Sequence, residues 1–145
     1  MYSIKNLFFF SIFSLVINSV SIGQNLENYQ WENRVLLVFS DTKMNKDLVK
    51  QLAFLAKEKE GLQERKLKII TYSENSYAED FNSKWMSSTI DLNEFKDASQ
   101  NKYSVFLIGL DGGIKHSQTT PITTKTLFSI IDVMPMRKRE LRIKN

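Results

Sequence analysis

The sequence predicts one α/β domain, a three-layer sandwich in the order β-α-β-α-β-β-α around a mixed central sheet. Three observations predict it. Two strand-like runs flank an amphipathic helical stretch through short connections, which makes a βαβ unit with parallel strands and a right-handed crossover. A later apolar run folds back through a glycine turn. A second amphipathic stretch then closes the chain. The 145 residues suffice for a core without covalent staples.

Each element has its own warrant. Residues 24–34 carry Leu26, Tyr29 and Trp31 among polar groups and read as a lead-in that packs its rings on the domain, which itself spans 35–145. The run VLLVFS (35–40) is continuous, β-branched and aromatic, as a strand buried on both faces requires. In KDLVKQLAFLAKEKEG, Leu48, Leu52 and Leu55 share one helical face, Asn45 is placed to cap the start, and Gly61 to mark the end. RKLKIITYS (65–73) is the second strand. Tyr77, Phe81, Trp85 and Met86 then recur at a spacing near four, which suggests a short helix; DLNEFKDASQ (91–100) suggests another, opened by Asp91 and Glu94. SVFLIG is a buried strand, DGG a hairpin turn and IKHSQ a short return strand. In the last helix, Thr123 or Thr124 is the cap and Leu127, Phe128, Ile130, Ile131 and Met134 form the apolar face. Pro135 breaks that helix near Val133 and suits the first position of a new turn. Asp132 stands just before that turn, where Arg137 or Arg139 can close back on it.

This order is the thioredoxin-like arrangement, and it allows a chemical test. In that fold a reactive dithiol follows the first strand and opens the first helix, where the helix dipole stabilises a thiolate. Here the position reads SDTKMNKDL, the approach to the third strand reads QNKYS without proline, and the chain has no cysteine. Thiol exchange and disulfides are excluded. Asp41 and Asp47 oppose an anion at that helix start, so caps and solvent are the expected use of the loop. His116, the only histidine, sits on the short return strand; without a second histidine or a cysteine it offers neither a zinc set nor a convincing triad. No cofactor or metal is implied.

The N-terminus predicts export. Lys5, the apolar Leu7 to Ile17 and the small residues Ser21 and Gly23 have the three-part pattern of a signal peptide spanning 1–23, cleaved before Gln24. Polar residues dilute the second half of the apolar stretch, so no stable transmembrane segment is expected after cleavage. The expected location is secreted or periplasmic. Charge divides unevenly. Of 20 basic and 16 acidic residues, the tail 137–145 holds five and one, a net of +4, whereas 24–136 nets −1. The body therefore offers no nucleic-acid face.

The segments ENRVLLVFS, LQERKLKII, FLIGLDGGIKHS and LFSIIDVMPMRKREL resemble an uncharacterised thioredoxin-like domain of bacterial secreted proteins and of animal extracellular-matrix proteins, including sushi-repeat-containing ones. The matching positions are Arg34, Arg65, Gly109, Asp111, Gly112, Lys115, Asp132, Met134, Pro135, Arg137 and Glu140. The resemblance implies the fold and export, carries no reaction, and implies that the final corner is a family feature. With Arg139 beside them, Arg34, Arg65, Asp111, Lys115, Asp132, Arg137 and Glu140 are the candidate interaction or structural motif.

Three functions remain open: a non-redox binding module for an unidentified protein, surface or matrix adhesion of the basic tail to anionic polysaccharide or lipid headgroups, and a cysteine-independent enzyme built from the Asp, Arg and Lys groups. The first is favoured. Convergence of those groups in one concave pocket would favour the enzyme; their dispersal would count against it.

Overall fold

A computed structural model describes residues 26–81, 84–87, 95 and 100–144. Its centre is β1 (Arg34–Ser40), buried along its whole length. β1 pairs in parallel with β2 (Leu67–Ser73), Arg34 opposite Leu67 and Ser40 opposite Ser73. On its other side it pairs antiparallel with β5 (Tyr103–Ile108), which pairs antiparallel with β6 (Ile114–Gln118). The βαβ crossover consists of α1 (Lys46–Ala56) and α2 (Lys59–Glu64). Among the described residues the sheet runs β4-β3-β2-β1-β5-β6, and α3 (Thr124–Asp132) and α4 (Pro135–Lys144) close the chain.

Within 74–90, the described residues 74–81 and 84–87 depart from the expected helix. β2 turns at Glu74 and Asn75, both at positive φ (50° and 56°), into β3 (Ser76–Glu79), and β4 (Met86–Ser87) extends the sheet. Two positive φ values in a two-residue connection are hairpin geometry. Glu at the first position hid the turn, and the four-residue aromatic spacing arose from a strand and its exit rather than from a helix. The expected helix at 91–100 lies outside the described residues except for Phe95 and Gln100, and the signal segment 1–23 lies wholly outside them.

Alternation along the strands builds two cores. Leu36 and Val38, Leu67 and Ile69, and Val105 and Leu107 face Leu48 and Leu55 of α1, Leu62 of α2, and Leu127 and Ile131 of α3. The opposite face gathers Val35, Leu37, Phe39, Ile70, Tyr77 and Ile108 around Phe95, with Leu26, Tyr29 and Met86 over them. Trp31 does not join: it is 64% exposed, while its backbone N–H donates to the Leu110 carbonyl (2.6 Å). On α1 the fully buried place beside Leu48 and Leu55 belongs to Gln51; Leu52 is half-buried. Gln51 Oε1 accepts from the Ile122 N–H (2.8 Å) and the Tyr103 hydroxyl (3.0 Å), and Nε2 donates to the Ile122 carbonyl (3.0 Å). Such complete pairing makes a buried amide tolerable. Gly61 does not end a helix; it lies within α2, where a Cβ would come within 2.7 Å of the Phe128 ring.

Candidate functional site

Two places merit a chemical reading, and they lie at opposite ends of β1. The first follows Ser40. Asn45 Oδ1 accepts from the N–H of Asp47 (2.8 Å) and of Leu48 (3.4 Å), capping α1. Its Nδ2 donates to Asp41 Oδ1 (2.7 Å) and to the Lys102 carbonyl (3.1 Å). Asp41 also accepts from the Thr42 N–H, and the Ser40 hydroxyl donates to the Thr42 carbonyl. The Asn45 hydrogen bond, first among several causes, holds the Asp41 carboxyl below its ordinary range. The Asn45, Asp41 and Ser40 side chains thus cap the helix or brace the turn before it, which is a structural use of these groups.

The second place is the corner at the start of β1. Pro135 opens α4 one turn after α3 ends, which turns Arg137 inward. Arg34 and Arg137 are 1% and 3% exposed. Arg34 donates to the Arg65 carbonyl (2.9 Å) and to both oxygens of Glu140 (3.3 Å each). Arg65 grips Asp132 through Nε (3.0 Å) and Nη2 (2.6 Å), and its guanidinium lies over the Phe128 ring. Arg137 donates to Glu64 Oε1 (2.8 Å), the Glu64 carbonyl (3.1 Å), Asp132 (3.3 Å) and Glu140 (3.4 Å). Three guanidiniums thus meet three carboxylates, joining α4 to β1, α3 and the α2–β2 turn.

Electrostatics favour the charged forms of Asp132, Glu64 and Arg137. Burial pushes the Asp132 carboxyl up, but hydrogen bonds and charge from Arg65 and Arg137 outweigh it and leave the pKa lowered. The Arg137 hydrogen bond lowers Glu64. Burial opposes the charge on Arg137, and its carboxylate partners reverse the effect and raise it. Asp132 and Glu64, held in the charged state beside guanidiniums, are poor proton shuttles. The geometry is that of a clamp.

Of the residues singled out in the sequence, Arg34, Arg65, Asp132, Arg137 and Glu140 come together. Arg139 is exposed and does not reach Asp132. Asp111 and Lys115 form their own pair in the β5–β6 hairpin (2.6 Å), apart from the corner. There Gly112 sits at φ +79°, where glycine is favoured, and a Cβ on Gly109 would lie 2.5 Å from Lys115 Cε and 2.9 Å from Asp111 Oδ1, so the side chains of that pair would have to shift. Sequence reading missed Glu64, whose helical run of charges resembles a solvated end, and Gln51, whose polar type concealed its burial.

No curated protein matches the sequence. Among solved structures, reduced 2-Cys peroxiredoxin from Plasmodium vivax superposes with a TM-score of 0.52 at 14% identity, over 79% of this chain and 72% of that one. StoA from Bacillus subtilis superposes with a TM-score of 0.43 at 12% identity, over 68% and 81%. The peroxiredoxin likeness shows the thioredoxin-like α/β fold. A family model described as Domain of unknown function (DUF4174) matches residues 25–140, most of the chain, and the protein belongs to that family.

Proposed function

We propose that the protein is an exported, non-redox binding module. The observation that carries this reading is the turn after β1. Where the fold can hold a dithiol, this chain has a helix cap, Ser40 to Asn45, whose polar groups bond to one another and to the backbone. The corner supports the same reading, because its six charged groups pair with one another instead of lining an open pocket, although Arg34 Nε keeps no hydrogen-bond partner among the described residues; this disfavours the cysteine-independent enzyme. Export rests on the sequence pattern of residues 1–23. The test is fractionation with intact mass and cross-linking capture. The chain should be recovered outside the cytoplasm beginning at Gln24, and should retain a protein partner under conditions where it reduces no insulin disulfide. A cytoplasmic chain that still carries Met1 overturns export; retention of no partner from the native compartment overturns the module.

A second reading, adhesion to an anionic surface, has its own support. Lys138, Arg139, Arg142 and Lys144 of α4 are exposed beside Ile143, which is 81% exposed, while Arg137 alone turns inward. Salt-sensitive binding to phosphatidylglycerol vesicles supports it. Binding that is equal on neutral phosphatidylcholine removes it.

A further inference from the structure

Two hollows lie side by side along the β2–β3 edge, and both are lined by Asp80 and Phe81. The inner one, about 250 Å³, lies against α1 and is walled by Leu48, Leu52, Ala78 and Trp85, with Thr71 beneath and Lys43, paired with Glu74, over the Trp85 ring. The outer one, about 360 Å³, lies by α2 and is rimmed by Lys59, Lys66 and Lys68. Their chemistry differs, and three observations define what suits them.

The first is charge. Lys68 is paired with Asp80 (3.0 Å), whose other oxygen accepts from the Ile69 N–H (3.1 Å). Lys59 and Lys66 are exposed and have no carboxylate partner among the described residues. Lys59, which lines the outer hollow, is held over the Phe81 ring, 4.9 Å from its centroid, and that ring lines both hollows. The second is apolarity: leucine, alanine and indole walls favour a hydrocarbon body. The third is an unmet polar group. Thr71 is 2% exposed, lines the inner hollow, and its hydroxyl has no hydrogen-bond partner among the described residues. A buried hydroxyl in this state gains from a ligand that bonds it.

We propose that this groove binds an elongated amphiphilic carboxylate. Its apolar body lies along the inner hollow, its carboxylate meets Lys59 and Lys66, and a hydroxyl at its apolar end meets Thr71. Lys66, in the turn before β2, and Thr71, within β2, are five residues apart, a reach of up to roughly 16 Å, so the ligand is a chain rather than a compact ion. The inference rests on the binding-module reading and gives that module a small-molecule site.

Trp85 reports on the groove directly. In a Trp31→Phe background, the processed protein purified from its full-length gene is titrated with 10-hydroxydecanoate, decanoate, decanol and glucuronate while Trp85 fluorescence is followed. Saturable change with 10-hydroxydecanoate is expected, weaker change with decanoate, and none with glucuronate. Lys59→Gln with Lys66→Gln should weaken both carboxylates by roughly five-fold and leave decanol unaltered. Thr71→Val, which keeps the shape, should remove the advantage of 10-hydroxydecanoate over decanoate. No saturable response to either carboxylate overturns the proposal, as does equal binding of glucuronate or indifference to the lysine change. A chain that captures its protein partner but leaves Trp85 silent keeps the module and loses the groove.

Discussion

The two ends of β1 use charge in opposite ways. At Arg34 the strand starts inside a closed set of three guanidiniums and three carboxylates. At Ser40 it ends in a capping turn whose carboxylate, Asp41, is exposed. The buried end couples four elements distant in sequence; the open end couples one strand to the helix that follows it. Density of ionisable groups is therefore a poor guide to reactivity in this molecule. Buried guanidiniums paired with carboxylates fix the position of a helix, and desolvation makes the arginines costly to strip of their partners.

Perturbing the two ends should reveal that difference, with the corner responding most. Glu140→Ala leaves the buried Arg34 without its carboxylate and should cost about 3 kcal/mol in urea unfolding. Replacing both groups, Arg34→Met with Glu140→Leu, should recover most of the loss. A double variant as weak as the single one would mean that the pair adds net stability rather than placing α4.

Asp132→Ala comes next, at about 1 to 2 kcal/mol, because Arg65 and Arg137 lose a shared acceptor while Glu64 and Glu140 remain. It also has a pH signature. The folded Asp132 carboxyl is lowered from its ordinary value, so its contribution is whole above about pH 4 and drains away as pH falls through the lower folded value. Asp132→Asn should therefore flatten the acid limb of the stability profile. An unchanged limb would remove Asp132 from the linkage.

At the open end, Asn45→Ala should cost about 1 kcal/mol through loss of the α1 cap. A cost matching that of Glu140→Ala would erase the distinction between the ends. The smallest effect belongs to the outer face of α4: neutralising Lys138, Arg142 and Lys144 together should leave thermal stability within about 0.5 kcal/mol. Unfolding by that triple change would show that the exposed cations, not Arg137, hold the helix.

Periodicity, caps and breakers made much of this architecture legible. The β1-helix-β2 unit, the Asn45 and Thr123 caps, the DGG hairpin and the break before Pro135 all follow from rules that act within a few residues. The absence of cysteine by itself removed thiol chemistry. Tertiary structure alone decided the rest. It made strands of Ser76–Glu79 and Met86–Ser87, because a sheet edge can supply pairing that overrides a weak aromatic spacing. It buried Gln51 where the pattern favoured Leu52, because the Ile122 backbone and the Tyr103 hydroxyl supply partners from 71 and 52 residues away. It drew Glu64 into the corner and kept Arg139 out, since only a helix seated on the α2–β2 turn determines which of two nearby arginines faces inward. Local rules read the chain one turn at a time, whereas desolvation and charge pairing depend on what the rest of the chain brings alongside.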